Sequence, residues 1–173
     1  MFSVRNATED DLGRVRDIKV DSWQDTYAPL IDSTTLQPFL DRPRQLESLR
    51  KTVALPGVSL LVAEDGAGVV AGFSLVYALH DPEPWLESLH VAAAMRGRGI
   101  GTTLMAATTA GLIAAGYQSL RLGVVVGNVR AAHFYERLGG TMIGEEPATW
   151  GQGVFHWIYR WPQLVRLLAA AGQ

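Results

Sequence analysis

The sequence predicts an α/β (α+β) fold in which a mixed central sheet of six or seven strands is flanked by helices. Strand-like segments occur near both ends of the chain, and helical segments lie between them. The segment 120–126 is nearly all apolar and rich in valine, which is typical of a central strand buried on both faces. The chain has 173 residues, 48% of them hydrophobic, so we expect one domain over 1–173.

In the N-terminal half, the sequence predicts a strand over 2–6, helical stretches over 8–28 and 33–53, and a hairpin over 58–79. Thr8 is a suitable helix cap, because acidic residues follow it and face the positive end of the helix dipole. Pro29 interrupts this first helix, and Pro38 and Pro43 leave the limits of the second open. Asp65-Gly66-Ala67-Gly68 indicates a tight turn between strands 58–64 and 69–79.

The C-terminal half predicts strands that alternate with helices. The elements are a strand over 85–91, a helix over 99–115, a strand over 120–126, a helix over 129–138, strands near 141–145 and 154–161, and a small final helix. Gly116 and the pair Gly139-Gly140 stand where helices often end.

The composition excludes several functions. A net charge of −2 argues against a nucleic-acid-binding domain, which normally carries a clustered basic surface. The sequence contains no cysteine, so disulfides, thiolate metal sites and a cysteine nucleophile are excluded. Four histidines without metal-ligand spacing predict no metal. No apolar run approaches the roughly 20 residues that span a bilayer, so we expect no membrane association and a cytoplasmic location.

A glycine-rich turn follows the predicted strand 85–91 and leads into the next helix. Its sequence is Arg96-Gly97-Arg98-Gly99-Ile100-Gly101-Thr102. The first backbone N–H groups of a helix have no internal partner, and glycines let an anion approach them. These features, with two arginines, predict a site for a pyrophosphate. The alternative is a tight turn carrying two solvated arginines.

Two blocks of the sequence resemble the GCN5-related N-acetyltransferase (GNAT) superfamily. Residues 96–101 match the Gln/Arg-x-x-Gly-x-Gly/Ala motif of that superfamily, and Asn128, Ala131, Phe134-Tyr135 and Gly139 match its next block. The resemblance extends from the first strand to the last. It implies the single-domain acyl-CoA N-acyltransferase fold, with a sheet that is splayed in the middle.

The resemblance also implies a cofactor site. The donor would be acetyl-CoA, and the chain would need no metal. In the family, backbone amides of the motif bind the pyrophosphate, and the preceding strand pairs with the pantetheine arm. The implied cofactor-binding residues are Leu89, His90, Val91, Arg96, Gly97, Arg98, Gly99, Ile100, Gly101, Thr102, Asn128, Ala131 and Tyr135. Tyr135 also matches the family position of a general acid to the departing thiolate; its alternative role is a core tyrosine.

The general base is less clear from the resemblance. Two family positions for an acid are occupied by Trp85 and Gly123. Glu87 is therefore the predicted base, acting through water, and its alternative is a solvated or salt-bridged strand residue. Glu87 shares the face of Trp85 if the strand is regular, and a β-bulge would reverse that facing. In a regular strand His90 points away from Glu87. We therefore expect His90 to be structural.

An acceptor pocket is predicted from aromatic residues, namely Trp23, Tyr27 and Trp85, with Trp150 as a further member. Their alternative is the core, where buried aromatic residues more often lie. The sequence therefore predicts an N-acetyltransferase that moves an acetyl group to a primary amine of a small molecule, amino acid derivative or peptide, by direct attack in a ternary complex. The alternatives are transfer of a longer acyl group and a coenzyme A-binding sensor with little turnover. A homodimer through the last strands is a further expectation, because edge strands invite pairing.

Overall fold

The computed structural model describes residues 2–172, which form a mixed sheet with helices on both faces. Its strands are β1 (Ser3–Asn6), β2 (Val58–Glu64), β3 (Val70–Tyr77), β4 (Trp85–Val91), β5 (Leu120–Val125), β6 (Thr141–Pro147) and β7 (Phe155–Trp161). Its helices are α1 (Leu12–Tyr27), α2 (Ser33–Leu40), α3 (Arg42–Val53), α4 (Ile100–Ala114), α5 (Val129–Arg137) and α6 (Leu164–Ala171). The predicted fold class is confirmed.

The seven strands of the described chain lie in the order β1-β2-β3-β4-β5-β7-β6. β4 and β5 are parallel, and the other neighbours are antiparallel. The parallel pair is joined only at Trp85 with Arg121 and at Leu86 with Leu122. Beyond these pairs the strands diverge, so the predicted splay in the middle of the sheet is confirmed. Within the described residues, the edge of β4 that faces β5 has no strand partner after Leu86.

The predicted helical stretch 33–53 is divided into α2 and α3. Asp41 separates them in an extended conformation, and its carboxylate accepts a hydrogen bond from the Arg44 amide at 3.0 Å. Asp32 caps α2 in the same way, by accepting from the Thr35 amide at 2.9 Å. Pro43 lies in the first turn of α3, where its missing N–H costs no helical hydrogen bond.

The start of α1 is fixed to β1 and β2 by charged groups. The Thr8 amide donates to Asp11 at 2.7 Å, and the Arg5 guanidinium pairs with both Asp11 and Glu64. The Arg5 hydrogen bond holds the pKa of the Asp11 carboxyl at about 2. Thr8 marks the helix start as predicted, although the first turn is a short 3₁₀ segment (Glu9–Asp11).

Apolar side chains fill both faces of the sheet. On one face α4 and α6 cover β4, β5 and β7 through fully buried residues such as Met105, Leu120 and Leu167. On the other face α1 and α3 cover β2 and β3 through Val15 and Phe73. Burial of each such side chain contributes about 1.5–3 kcal/mol, which stabilises the packing of the helices on both faces of the sheet. No helix within residues 2–172 is long and apolar enough to cross a bilayer.

Candidate active site

A cleft of about 740 Å³ opens where β4 and β5 separate. It is bordered by α1, β4, the glycine-rich turn, β5 and α5. The predicted site residues that line it are Tyr27, Glu87, Leu89, His90, Val91, Arg96, Gly97, Gly99, Ile100, Gly101, Thr102, Asn128, Ala131 and Tyr135. Trp23, Trp85 and Arg98 are not part of the lining.

The glycine-rich turn presents bare backbone to the cleft. Gly97 and Gly99 have φ values of +76° and +79°, in the left-handed region that favours glycine. A Cβ atom at either position would meet no atom within 4 Å, so the space above them is open. Gly99 precedes α4 and offers no side-chain cap to the first amides of this helix. The turn therefore has the donors, the space and the dipole that an anionic group requires.

Positive charge surrounds this turn. Arg96 is half-buried, donates from Nε to the Val91 carbonyl at 3.2 Å and lies 3.7 Å from the Asp25 carboxylate of α1. Burial lowers the pKa of Arg96, and the neighbouring charge of Arg130 lowers it further. Arg130, His133 and Arg137 also line the cleft from one face of α5. The sequence analysis missed these three residues, although their spacing of three and four residues on one helix was a readable signal.

The two sequence blocks meet where α4 approaches α5. A Cβ atom on Gly101 would lie 3.3 Å from Cζ of Phe134 and 3.7 Å from the Leu89 side chain. Asn128 caps α5 by accepting a hydrogen bond from the Ala131 amide at 3.2 Å. The glycine and the asparagine thus determine how closely the glycine-rich turn and α5 enclose the same cleft.

A β-bulge changes the direction of the side chains along β4. Leu75 pairs with Ser88 and Val76 pairs with Leu86, so Glu87 is an extra residue without a partner on β3. His90 then faces α1, where its Nδ1 lies 2.9 Å from the Ser22 hydroxyl. The regular alternation in which His90 would point away from Glu87 does not apply here, because the inserted residue interrupts it. Burial lowers the pKa of His90 to about 3, so the ring is neutral at physiological pH.

The Glu87 carboxylate is held at the mouth of the cleft. Its Oε2 accepts a hydrogen bond from the Trp85 indole Nε1 at 2.9 Å. Burial raises the pKa of Glu87, while the Trp85 hydrogen bond and the charges of Lys19 and His80 oppose that rise. Trp85 was predicted to contact the acceptor; in the structure it lies outside the cleft lining, contacts Glu87 and stacks on His80 at 5.4 Å.

Tyr135 lies on the opposite side of the cleft, on α5. Its ring is 8% exposed and packs edge-on against Trp161, with 5.9 Å between centroids. Within residues 2–172 its hydroxyl has no hydrogen-bond partner and is not sealed from solvent. Burial raises the pKa of Tyr135, so the phenol keeps its proton at neutral pH.

His156 on β7 occupies the space above Gly123. A Cβ atom at Gly123 would lie 2.6 Å from the His156 Nδ1 atom, so the imidazole takes the place of a side chain at this position of β5. Burial lowers the pKa of His156, and its ring lies 5.8 Å from that of Trp150. His156 is not part of the cleft lining, and the sequence analysis missed its contact with Gly123 because only the pairing of β5 with β7 brings the two residues together.

An aromatic cluster beside the cleft is formed by Trp23, Phe39 and Trp150. The ring centroids of Trp23, Phe39 and Trp150 are 4.8–5.2 Å apart. Trp23 also contacts Tyr27 edge-on at 5.0 Å. Tyr27 reaches the cleft, and burial raises its pKa to about 12. The cluster therefore supports the wall that Tyr27 presents, and Trp23 and Trp150 are partly buried against it.

Known proteins resemble this chain in sequence or in fold. The chain is 25% identical over 150 residues to the N-acetyltransferase YuaI of Bacillus subtilis (strain 168), covering 84% of each chain. The PaiA N-acetyltransferase of Thermoplasma acidophilum in complex with coenzyme A superposes with a TM-score of 0.73 at 18% identity, over 92% of this chain and 98% of that chain. YncA of Salmonella typhimurium with its cofactor acetyl-CoA superposes with a TM-score of 0.71 at 22% identity, over 95% of this chain and 94% of that chain. These two structures confirm the fold.

The family model described as "Acetyltransferase (GNAT) family" matches residues 16–140. The matched part begins in α1 and ends after α5, so it contains the glycine-rich turn, both strands of the splay and Tyr135. The predicted family and the predicted enzyme class are confirmed: this chain belongs to the GNAT family of acetyltransferases.

Proposed function

We propose that this chain transfers the acetyl group of acetyl-CoA to a primary amine of a small molecule, amino acid derivative or peptide, by direct attack in a ternary complex. One observation carries the proposal. The gap between β4 and β5 ends at the bare amides before α4, and Glu87 and Tyr135 lie in the same cleft. A thioester donor and an amine can therefore meet between a base and an acid.

The donor site fits coenzyme A in shape and charge. Residues 97–102 offer backbone amides at the start of α4, and Arg96 and Arg130 supply positive charge for a pyrophosphate. The unpaired edge of β4 at Leu89, His90 and Val91 can hydrogen-bond an extended pantetheine arm as if it were another strand. The PaiA and YncA structures contain coenzyme A and acetyl-CoA, which supports this donor here.

The chemistry divides between two side chains. Alkyl amines have a pKa of about 10.4, so the acceptor must lose a proton before its nitrogen can attack. Glu87 accepts this proton through water, since its carboxylate lies at the mouth of the cleft. The new C–N bond forms as the C–S bond breaks, and Tyr135 donates its phenolic proton to the departing sulfur. The nitrogen releases its second proton to water, and water returns a proton to Tyr135. Coenzyme A with a free thiol and the acetylated amine are the products.

Backbone groups complete the mechanism. Amides on the unpaired edge of β4 stabilise the negative charge that develops on the thioester oxygen. The cleft also holds amine and thioester together, and this proximity supplies a large part of the rate increase in such reactions. No proton transfer is assigned to His90, because burial lowers its pKa to about 3 and its Nδ1 is hydrogen-bonded to Ser22.

The first experiment is isothermal titration of the purified chain with acetyl-CoA, followed by a screen of primary amines for thiol release. Micromolar binding with release of one thiol per acetylated amine supports the proposal. Binding without turnover of any amine favours the coenzyme A-binding sensor, and faster turnover with a longer thioester favours another acyl donor. Absence of binding contradicts the acetyl-CoA site. The domain limits 1–173, a homodimer and a cytoplasmic location stay predictions.

A further inference from the structure

A row of basic side chains extends along the face of α5 that borders the cleft. Arg130, His133 and Arg137 are spaced by three and four residues, so they lie on one face of the helix, and all three line the cleft. Each of them is exposed. Within residues 2–172, none of the three makes an ion pair of 4.0 Å or less. The row therefore forms a basic rim of the cleft that pairs with no carboxylate of the described chain.

The one acidic residue of α5 is directed away from this rim. Glu136 accepts a hydrogen bond from the Tyr159 hydroxyl of β7 at 2.8 Å, and it is not part of the cleft lining. The helix dipole favours Arg137, which lies in the last turn of α5. The dipole does not account for Arg130, because a cation in the first turn of a helix is disfavoured. The face of α5 towards the cleft is thus basic along its length, which suits an anionic ligand.

Phe134 marks the point where the basic row meets the glycine-rich turn. A Cβ atom on Gly101 would lie 3.3 Å from Cζ of Phe134, so the first turn of α4 is next to the centre of α5. Arg130, one turn before Phe134, has been assigned to the pyrophosphate. Arg137 lies nearly one turn after Phe134, and His133 lies one turn before Arg137 on the same face. The row thus continues past the residue assigned to the pyrophosphate and offers two further basic side chains beside that site.

We infer that His133 and Arg137 form a second phosphate site, which binds the 3′-phosphate on the ribose of coenzyme A. This inference rests on the proposed donor and specifies how the chain selects it. The 3′-phosphate is a monoester with about two negative charges, and a group of this kind suits an exposed basic rim. A guanidinium can donate two parallel hydrogen bonds to a phosphate, and an imidazole N–H can donate a further one. A donor without the 3′-phosphate leaves both side chains without a ligand.

The test compares coenzyme A with 3′-dephospho-coenzyme A, which keeps the pyrophosphate and the pantetheine arm. Calorimetry measures the Kd of each ligand for the wild type, Arg137→Gln, His133→Gln and the double variant. An exposed ion pair contributes up to about fivefold in affinity, so we expect the wild type to bind coenzyme A about tenfold more tightly than the dephospho form. The double variant should lower this preference to about twofold or less, with an unchanged Kd for the dephospho form.

Three further measurements serve as controls. Arg166→Gln removes an exposed arginine of α6 that lies outside the cleft lining, so both Kd values should stay unchanged. Arg130→Gln should weaken both ligands by the same factor, because both contain the pyrophosphate. Arg137→Lys keeps the charge and should keep most of the preference for coenzyme A. Higher salt should reduce that preference in the wild type, because interactions between exposed charges are screened.

Several outcomes would overturn the inference. A wild type that binds both ligands equally is one, and a preference for coenzyme A that persists in the double variant is another. If Arg137→Gln weakens both ligands by the same factor, the arginine acts on the pyrophosphate or on folding, and the inference is wrong. A carrier protein presents acetyl-phosphopantetheine without a 3′-phosphate. Transfer from it as fast as from acetyl-CoA would assign the basic rim to a protein partner instead.

The binding measurements need no acceptor amine, so they are separate from the proposed transfer reaction. Failure of both ligands to bind contradicts the donor site and this inference with it. Equal binding of both ligands leaves the donor site intact and removes only the contact with the 3′-phosphate. Selective binding of coenzyme A without turnover of any amine supports the inference and contradicts the transfer reaction.

Discussion

The indole Nε1 of Trp85 donates a hydrogen bond to Oε2 of Glu87 at 2.9 Å, two residues further along β4. Because of the β-bulge, the Glu87 side chain does not follow the regular alternation of the strand. The Trp85 indole holds one of its carboxylate oxygens by the hydrogen bond. The other oxygen remains available for water. Trp85 is in this way a positioning residue for the proposed base, and it stabilises the charged form of the carboxylate.

Removal of the carboxylate charge tests the base directly. We expect Glu87→Gln to lower kcat about a hundredfold or more, since general base catalysis typically contributes 10²–10⁴-fold. The amide oxygen of glutamine can still accept from the Trp85 indole, so the fold and the affinity for acetyl-CoA should be unchanged. Steady-state kinetics and calorimetry measure the two effects. Unchanged kcat would assign proton removal to water alone.

The pH profile tests the Trp85 hydrogen bond. The base acts when deprotonated, so kcat/KM falls as the pH decreases through the pKa of Glu87. Burial raises that pKa and the Trp85 hydrogen bond lowers it, so Trp85→Phe should move the acid limb to higher pH. In Glu87→Gln, the decrease of kcat/KM at low pH should be absent, both with Trp85 and with Trp85→Phe. A Trp85→Phe profile that is lower at every pH without a shifted limb would mean that Trp85 acts through packing only.

The phenol of Tyr135 can be tested without disturbing its ring. Tyr135→Phe keeps the contact with Trp161 and removes a hydroxyl that has no partner within residues 2–172. We expect kcat to fall, with unchanged acetyl-CoA affinity and a melting temperature no lower than that of the wild type. A donor with a more acidic thiol should reduce the defect, because its sulfur needs less protonation. Loss of stability with normal kcat would identify a core tyrosine.

Much of the fold could be predicted, because local patterns determine it. β2 and β4 have the limits that their apolar residues indicated, and the turn 65–68 joins two antiparallel strands as expected. The amides before α4 were also predictable, since glycine at φ near +79° is a local requirement. These features depend on residues close together in the chain.

The missed features depend on pairing between distant strands. The facing of His90 follows from the bulge of β4 against β3, and nothing within 85–91 specifies it. The position of His156 above Gly123 follows from the register of β7 on β5. The contact of Trp85 with Glu87 was not predicted, because a tryptophan near a cleft can bind either a ligand or a neighbouring carboxylate.

Gly99 and Gly68 form a matched pair for testing the anion site. Both have φ of +79° and open space where a Cβ atom would lie, but Gly68 is in the hairpin between β2 and β3. A side chain in this conformation costs roughly 1–2 kcal/mol, so Gly99→Glu and Gly68→Glu should destabilise the protein similarly. Only Gly99→Glu places a negative charge at the proposed pyrophosphate site, and only it should abolish acetyl-CoA binding in calorimetry. Equal binding by both variants would contradict the site.

The contact between Gly123 and His156 predicts a coupled pair. A Cβ atom at Gly123 lies 2.6 Å from the imidazole, so Gly123→Ala should destabilise the protein by about 1–3 kcal/mol through overpacking. His156→Ala opens that space, and the double variant should be more stable than the sum of the single effects by about 0.5–3 kcal/mol. Urea denaturation of the four proteins measures the coupling. Strict additivity would show that the imidazole moves aside freely, and Gly123→Asp would then introduce a carboxylate at the cleft without loss of stability.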